Sequence, residues 1–585
     1  MDVEVLDLPA PAVAVPGATG SVSVALVGSG GAGSMRAGEI LLEAAAEAGL
    51  FGLMTRAMGP QIRGGEAAAL LRIATTPVSS PDDHLDLLVA LDWSNFVSFA
   101  AEIPLGPDSL VLADPAEGDA PGAVRASGAR LLALPLKQLL RTVPGGHGNM
   151  IGLGAAATLI GLDAAVILRV LRHQLGRKGE AVLAANAASL SLGAEAMAAE
   201  PPLCRLATSD GAARWTISGN QATGLGALQA GVRFVAAYPI TPATEVLEWL
   251  APALAETGGV LVQAEDELAA INMTIGASFA GTPSLTATSG PGLALMVEAL
   301  GLAVASEMPL VVVDVMRGGP STGIPTKSEQ TDLNIAVYGL HGDAPHLVLA
   351  PNSIADCLFT THWAVTLAEQ LQTPALVLSD QALGQSRAVI APPAPLPQAA
   401  ARLTAAPQEG GYLRYALTES GVSPMAIPGT PGGAYVADGL EHSERGTPSA
   451  QAAAHHAQLD KRAHKLALHD FAPHWADIEG EGEIGLLTWG SVTGAAREAA
   501  ARARARGIRV RLISLRLLLP AQPSHMAAAL AGLRGVLVVE QSHGRQFHKY
   551  LRSHYDLPPA VSVLSRPGPL PIRPAEILDQ LLAWE

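Results

Sequence analysis

Three acids in a row, Glu265, Asp266 and Glu267, close the β-rich run VLVQAE and open the segment LAAINMTIGASFAG. Acids are favourable in the first turn of a helix, where the peptide dipoles place partial positive charge. On a solvated helix that would account for all three. This helix is almost wholly apolar or small, so it is expected to be buried and to take at least one carboxylate inside with it. A buried carboxylate must be paired or must do chemistry. Further on, the apolar run PLVVVDVM delivers Arg317 at its end. Ligands of open α/β sheets gather outside that edge, and arginine suits two-pronged capture of a carboxylate; the plainer alternative is a pairing with a local acid. Upstream, AAYPITPATE, residues 236–245, ends another strand-like run. Pro239 and Pro242 each fix φ and remove a donor, and they push Tyr238 and Thr241 to extended conformations. The result is a stiff loop that holds the Thr241 hydroxyl in place. A second rigid loop, PSTGIPT, adds Ser321, Thr322 and Thr326. Three strand ends thus offer a hydroxyl, a carboxylate and a guanidinium.

Strands and crossover helices must position these groups. From SGNQATGLGALQAG to about residue 386, strand-like runs (VRFVAAYP, VLVQAE, SLTATSG, PLVVVDVM, HLVLAP, PALVLSD) alternate with helical ones, the pattern of a parallel sheet. We assign residues 201–386 to this domain. Residues 1–200 form another α/β domain, in which VSVALVGSG, GGAG and SMRAGEILLEAAAEAGL read as strand, glycine turn and helix. Residues 387–480 are rich in Pro and Gly and carry one helical stretch, an extended connector of a length that is usually functional or covers an interface. Residues 481–585 return to the α/β pattern as a small doubly wound domain.

GSGGAG at 28–33 matches G-x-G-x-x-G through Gly28, Gly30 and Gly33, but no acid follows at the distance a ribose would need. A nicotinamide- or flavin-dependent oxidoreductase is the alternative this loop offers. Arg63, flanked by glycines in GPQIRGGE, is positioned for a close approach to another surface. His543 and His548 are five apart, do not share a helix face, and read as structural.

The chain has 585 residues, enough for roughly three or four domains. Net charge is −16, which disfavours nucleic acid. The one basic cluster, REAAARARARGIRVRLISLR at 497–516, reads as a solvated arginine face. Apolar content is 49% and mean hydropathy +0.30. Even so, no apolar run reaches the ~18 residues of a spanning helix, and the start MDVEVLDLPAPAVAV lacks a basic n-region. No membrane is expected, and a cytoplasmic location is. Two cysteines, Cys204 and Cys357, cannot form a zinc site or an iron–sulfur cluster within this chain.

YPITP, the EDE-led helix, TSGPG and RGGPSTGIPTKSEQTDL together resemble the α subunit of the 2-oxoacid:ferredoxin oxidoreductases. GSGGAG and GPQIRGGE resemble the family's γ domain, here fused ahead of the α portion as in 2-oxoglutarate-type enzymes. SPMAIPGTPGGAYVADGLEHSERG matches the connector, and TWGSVTGAAREA with GIRVRLISLRLLLP resembles the transketolase C-terminal domain. The resemblance covers nearly the whole chain. It implies an α/β fold throughout: a Rossmann-like γ domain, a thiamine-diphosphate-binding domain of pyrimidine type and a transketolase C-terminal-like domain. It also implies oxidative decarboxylation of 2-oxoglutarate to succinyl-CoA and the reverse carboxylation, with ferredoxin as electron acceptor and coenzyme A as co-substrate. Pyruvate, branched-chain and aryl 2-oxoacids are the alternatives. Thiamine diphosphate chemistry needs a carboxylate on N1′ of the aminopyrimidine. By resemblance that acid is Glu267, with Glu265 its rival; Tyr238, Pro239 and Ile240 line the cofactor, and Thr241, Arg317 and Thr326 contact the substrate carboxylate. Lys327 and His341 are candidates for a distal carboxylate. The family holds Mg²⁺ and the diphosphate with a GDG motif. SDGAAR, HGDAP and ADGLEH do not have that form, so no metal residue is assigned here. The resemblance therefore implies a β subunit that brings Mg²⁺, a [4Fe-4S] cluster and the diphosphate anchor, in an (αβ)2 assembly with the active site at the subunit contact. A non-catalytic assembly subunit is the remaining alternative.

Overall fold

The computed structural model describes residues 20–58, 67–94, 96–204, 206, 212–324, 327–407, 409 and 411–584. The chain divides into two compact units. One comprises residues up to Thr216 together with Arg387–Pro392; the other comprises Ile217–Ser386 and Pro393–Glu585.

The first unit is built on a mixed sheet. Its strands run in the order Arg130–Ala133, Leu110–Ala113, Leu87–Ala90, Ser21–Gly28, Ala67–Ala74, Phe51–Met58 and Arg387–Ile390, and it ends on Trp215–Ser218, where the chain passes to the second unit. Neighbours from Arg130–Ala133 through Ser21–Gly28 are parallel; those from Ser21–Gly28 through Arg387–Ile390 are antiparallel. Only half of the sheet is therefore wound in the Rossmann manner. Ser21–Gly28 is buried on both faces after its first residue, as its continuous apolar run requires. The strand Arg387–Ile390 takes up the start of the proline-rich segment, because its apolar Ala388 and Val389 complete this sheet.

The second unit contains two sheets. In the larger, six parallel strands lie in the order Leu347–Leu349, Pro374–Asp380, Leu310–Met316, Ser284–Thr288, Phe234–Ala237 and Val260–Gln263, with Leu517–Leu519 antiparallel on the first. Leu310–Met316 and Pro374–Asp380 are buried along their whole length at the sheet centre. In the smaller sheet the order is Ala476–Glu479, Val510–Leu515, Ile484–Trp489, Gly535–Glu540 and Ala560–Ser565, with only the first strand antiparallel. One core runs from Val235 and Leu293 of the larger sheet's layer to Trp489 and Phe547 of the smaller.

The proline-rich segment is fastened by charge. Arg402 donates to both oxygens of Glu369 at 2.7 Å, and both side chains are buried. Arg414 donates to the Glu307 carbonyl at 2.9 Å. The helix Ala452–Leu468 brings Lys461 and Lys465 within 2.5 and 3.0 Å of the fully buried Glu307 carboxylate. These two ammonium groups, together with Arg414, overcome the burial penalty and hold the Glu307 carboxyl far below its usual range. The basic cluster of the C-terminal domain is largely paired with local acids: Arg497 with Glu479 at 2.7 Å, Arg502 with Glu498, and Arg509 with Glu483 at 3.7 Å. Among the described residues, no helix is long and apolar enough to cross a membrane.

Candidate functional site

The helix Glu267–Phe279 follows the strand Val260–Gln263 after a short turn. Asp266 is the cap residue. Its carboxylate accepts the Ala269 N–H at 2.7 Å, satisfying one of the orphan donors of the first turn. The three neighbouring acids then part ways. Glu265 and Asp266 are exposed, whereas Glu267, the first helical residue, is 7% exposed. Its carboxyl lies against the first turn of the adjacent helix Gly290–Ala305: a Cβ on Gly292 would stand 2.7 Å from Glu267 Oε1 and 2.0 Å from Thr288 Oγ1. Gly292 is thus a glycine by close approach rather than by φ. Glu267 lies beside a helix N-terminus, where a negative charge is favoured.

Arg317 leaves the end of the strand Leu310–Met316, next to Ser284–Thr288 in the sheet. Its Nη1 donates to the Thr241 carbonyl at 2.8 Å, so the guanidinium is held on the loop that carries the Thr241 hydroxyl. Its Nε has no partner among the described residues. Burial lowers its affinity for a proton, and the neighbouring Asp332 carboxylate opposes that effect. On the other side of the loop, Asn220 donates to the Pro242 carbonyl at 3.0 Å from a fully buried position. Tyr238 is exposed at 40%, and Pro239, Ile240 and Thr241 are half-buried. Thr241 and Arg317 are therefore brought together. Glu267 stands at the N-terminal turn between the strand that ends at Thr288 and the helix packed beside its own.

The loop after Arg317 is pinned at both ends. Gly318 N–H donates to the Lys327 carbonyl at 2.8 Å, and the Ile324 N–H to the Gly318 carbonyl at 3.1 Å. Gly323, at φ 71°, lies so close to Gly318 that a Cβ there would meet its carbonyl oxygen. Beyond it, Gln330 is locked to the C-terminal domain by its Nε2 on the Trp489 carbonyl at 2.8 Å and by paired bonds with the Gln541 backbone at 2.8 and 2.9 Å. The C-terminal sheet thereby positions the arginine loop. Thr326 lies outside the described residues, as does Arg63 of the first unit. His341 is exposed and sits 3.4 Å from where a Cβ on Gly301 would stand. That is nine residues past Gly292, roughly 14 Å down the helix from its N-terminus, so His341 is not at this site.

Sequence reasoning passed over Asp314 and Asp332, which flank Arg317. Burial, and then the facing Asp332, push the Asp314 carboxyl well above its ordinary range; burial pushes Asp332 up to about 6. The available signal was the pair of glycines in TSGPG. A Cβ on Gly290 would stand 2.6 Å from both Asp332 oxygens, just as Gly292 backs onto Glu267.

The first unit's glycine loop behaves differently from a phosphate cradle. The Ser29 N–H and hydroxyl donate to the Asp92 carboxylate at 3.0 and 2.9 Å. Burial would raise the Asp92 carboxyl, but these bonds and those from Ser94 outweigh it and hold it low. A fixed anion thus occupies the loop's leading donors and repels a second one. Next to it lies a cavity of about 500 Å³ lined by Arg36, Lys137, His147, Asn149 and Lys178 among others. Among the described residues, no group of three His, Cys, Asp or Glu side chains is placed to hold a metal ion. The helix residue His548 and the loop residue His543 are not near each other's ligand geometry: the His548 N–H caps onto Glu540 at 3.0 Å, and His543 faces Glu329.

A model of the pyruvate flavodoxin/ferredoxin oxidoreductase family, thiamine diphosphate-binding, matches residues 225–461, and one of the pyruvate ferredoxin/flavodoxin oxidoreductase family matches residues 23–196. The 2-oxoglutarate synthase subunit KorA of Methanothermobacter marburgensis is 36% identical over 375 residues, which are 63% of this chain and 98% of that protein. The 2-oxoglutarate oxidoreductase subunit KorA of Mycobacterium tuberculosis is 36% identical over 425 residues, 70% of this chain and 64% of that one. In structure, the chain is similar to a 2-oxoglutarate:ferredoxin oxidoreductase from Magnetococcus marinus with 2-oxoglutarate, coenzyme A and succinyl-CoA bound. That match has a TM-score of 0.89 and 36% identity, and covers 97% of this chain and 99% of that chain.

Proposed function

This chain belongs to the 2-oxoacid:ferredoxin oxidoreductase family, and we propose that it is the subunit that presents Glu267 to the aminopyrimidine of thiamine diphosphate and Thr241 and Arg317 to the carboxylate of 2-oxoglutarate. The reaction is 2-oxoglutarate plus coenzyme A to succinyl-CoA and CO₂, with two electrons passed to ferredoxin, and its reverse. The observation that carries the reading is the placement of Glu267. It is a buried carboxyl, alone of its triplet, facing a glycine-cleared helix turn. Such a carboxyl has an acceptor to offer a protonated or N–H-bearing ring. The names of the relatives and the ligands of the Magnetococcus marinus enzyme support the substrate and coenzyme A.

The residues present fit the cofactor. Glu267 would hold the aminopyrimidine through its carboxylate, with Tyr238, Pro239 and Ile240 along its flank. Bound there, thiamine diphosphate supplies the nucleophilic carbon and the electron sink that decarboxylation of a 2-oxoacid needs. The Glu267 carboxylate would accept a hydrogen bond from the pyrimidine ring and so favour the tautomer that chemistry requires. Arg317 and the Thr241 hydroxyl take the substrate carboxylate and orient the keto carbon. The apolar sheet behind them excludes water, which strengthens both contacts. Thr326 is assigned to the same carboxylate.

The diphosphate, Mg²⁺ and a [4Fe-4S] cluster belong to a β subunit, in an (αβ)2 enzyme of the cytoplasm. The relatives are themselves named as subunits. Leu268, Met273, Leu295 and Tyr238 are exposed at 40–50% around Glu267, an apolar rim suited to such a partner.

The test is a panel of 2-oxoacids with coenzyme A and a viologen acceptor, using the complex co-expressed with its partner. We expect 2-oxoglutarate to give the highest kcat/KM, and Glu267→Gln to lower kcat by ~10²–10⁴-fold while leaving the complex assembled. Undiminished turnover in Glu267→Gln would move this chain to an assembly role, and preference for another oxoacid would correct the substrate.

A further inference from the structure

Asp314 stands three residues before Arg317 on the same strand, opposite Thr288 in parallel register. It is fully buried, and neither of its carboxyl oxygens receives a hydrogen bond from a described donor. It faces the Asp332 carboxyl, whose Oδ2 also lacks a donor among the described residues. Asp332 in turn sits at the head of the helix Gly290–Ala305, in the space that Gly290 leaves open. Two acceptors cannot satisfy each other unless a proton lies between them, and two buried carboxyls in contact cannot both ionise. Asp314, the more deeply buried, is the acid that burial drives furthest upward, whereas the Asp314 hydrogen bond and Arg317 restrain the rise at Asp332. At neutral pH Asp314 therefore keeps the proton and Asp332 carries one negative charge.

That charge faces Arg317, whose Nη1 is engaged on the Thr241 carbonyl and whose Nε has no partner among the described residues. The other charged groups around the pair are Glu329, which raises Asp332 and is itself faced by His543, and Glu267, across the Gly290–Gly292 turn. We propose that Asp314 and Asp332 are positioning residues. Asp314 donates its carboxyl proton to Asp332, and the single charge left on Asp332 holds the Arg317 guanidinium over the Thr241 loop in the orientation that receives the carboxylate of a 2-oxoacid. A neutral pair releases the guanidinium. A doubly charged pair repels the incoming anion. The inference rests on Arg317 being the substrate anchor and adds how its orientation is set.

The experiment uses the co-expressed complex. Steady-state constants for 2-oxoglutarate are measured across pH, and binding of glutarate, a dicarboxylate that cannot react, is followed by calorimetry. In the wild type, kcat/KM and glutarate affinity fall together as pH drops through the Asp332 titration, near 6. Asp332→Asn is expected to flatten that limb and to raise KM about tenfold with kcat little changed. Asp314→Asn keeps a donor and keeps the limb in place. Asp314→Val removes the donor and moves the limb to higher pH. The proposal is overturned if Asp332→Asn retains the wild-type limb and glutarate affinity, or if Asp314→Asn and Asp314→Val give the same profile; should Asp332→Asn fail to fold, the two Asp314 variants decide. A wild-type complex that turns over no 2-oxoacid refutes the assigned function instead, so the two failures are distinct.

Discussion

Replacing Gly292 by alanine adds one methyl group at the point where Glu267 meets the neighbouring helix. The new Cβ would lie 2.0 Å from Thr288 Oγ1 and 2.7 Å from both Glu267 Cγ and Oε1. Contacts to a methyl carbon settle near ~3.5 Å, so the threonine hydroxyl must retreat by about 1.5 Å and the carboxyl by about 0.8 Å. Thr288 is fully buried at the end of a central strand, so relief there requires local rearrangement, and Glu267 must move as well. The stability cost is modest. Overpacking of this kind costs ~1–3 kcal/mol, and alanine returns up to ~1 kcal/mol over glycine in a helix. The functional cost is larger, because a misplacement of ~1 Å in a reacting constellation lowers rates by ~10²-fold. The matched control is Gly301→Ala in the same helix, whose new Cβ would meet only the exposed His341 ring, at an ordinary 3.4 Å. Both variants are purified as complexes, melted, and assayed for turnover and for thiamine diphosphate affinity by titration into the cofactor-free enzyme. We expect Gly301→Ala to match the wild type, and Gly292→Ala to fold and assemble but to lose about a hundredfold in kcat/KM. A Gly292→Ala complex as active as the Gly301→Ala one would refute the placement of Glu267 at the reacting centre.

Arg317→Lys loses the planar fork that spans the Thr241 carbonyl and a substrate carboxylate; KM for 2-oxoglutarate is expected to rise about tenfold to a hundredfold, measured by initial rates at saturating coenzyme A. Asp314→Asn removes an acid whose folded pKa is raised above its ordinary 3.8. The protonated acid contributes its full stability below that value and loses it as pH rises toward the folded pKa, so the variant should melt above the wild type at alkaline pH and show no gain below the ordinary value. Glu307→Gln leaves two buried ammonium groups without their anion, a loss of ~3–5 kcal/mol in denaturant unfolding; adding Lys461→Met and Lys465→Met should restore most of it.

The legible part of the site was the part carried by local rules. The prolines of YPITP state a stiff loop in five residues, and Arg317 follows a run of apolar residues long enough to be a central strand. Choosing between Glu265 and Glu267 was beyond those rules, because both sit at the start of the same helix. Packing is what separates them: Asp266 takes the cap, Glu265 stays in solvent, and Glu267 is buried against the neighbouring helix, which is the basis for proposing it. For the first domain the sequence stated an α/β pattern but not the direction of each strand. The antiparallel half of its sheet depends on pairings such as Val24 with Leu71 and Leu53 with Arg72, which no window of sequence contains.

Asp314 and Asp332 escaped for a related reason. Each is unremarkable where it stands, one as an acid in a strand, the other as a residue before a short helix. They become a pair only because the Arg317 loop returns to the sheet and is locked there by Gln330. Two glycines in TSGPG recorded the outcome in advance. A helix N-terminus favours anions, but a Cβ at Gly290 or Gly292 would exclude the carboxyls that now lie against that turn. Glycine in the first turn of a buried helix is costly in chain entropy, and at Gly290 and Gly292 it makes room for a carboxyl approaching from another element. On the proposed roles, the same turn serves Glu267 through Gly292 and Asp332 through Gly290. A substitution at either glycine should fail at a different step: Gly292→Ala in cofactor affinity and kcat, Gly290→Ala in KM for the 2-oxoacid. If both variants lost the same constant, the two carboxyls would not be acting on separate partners.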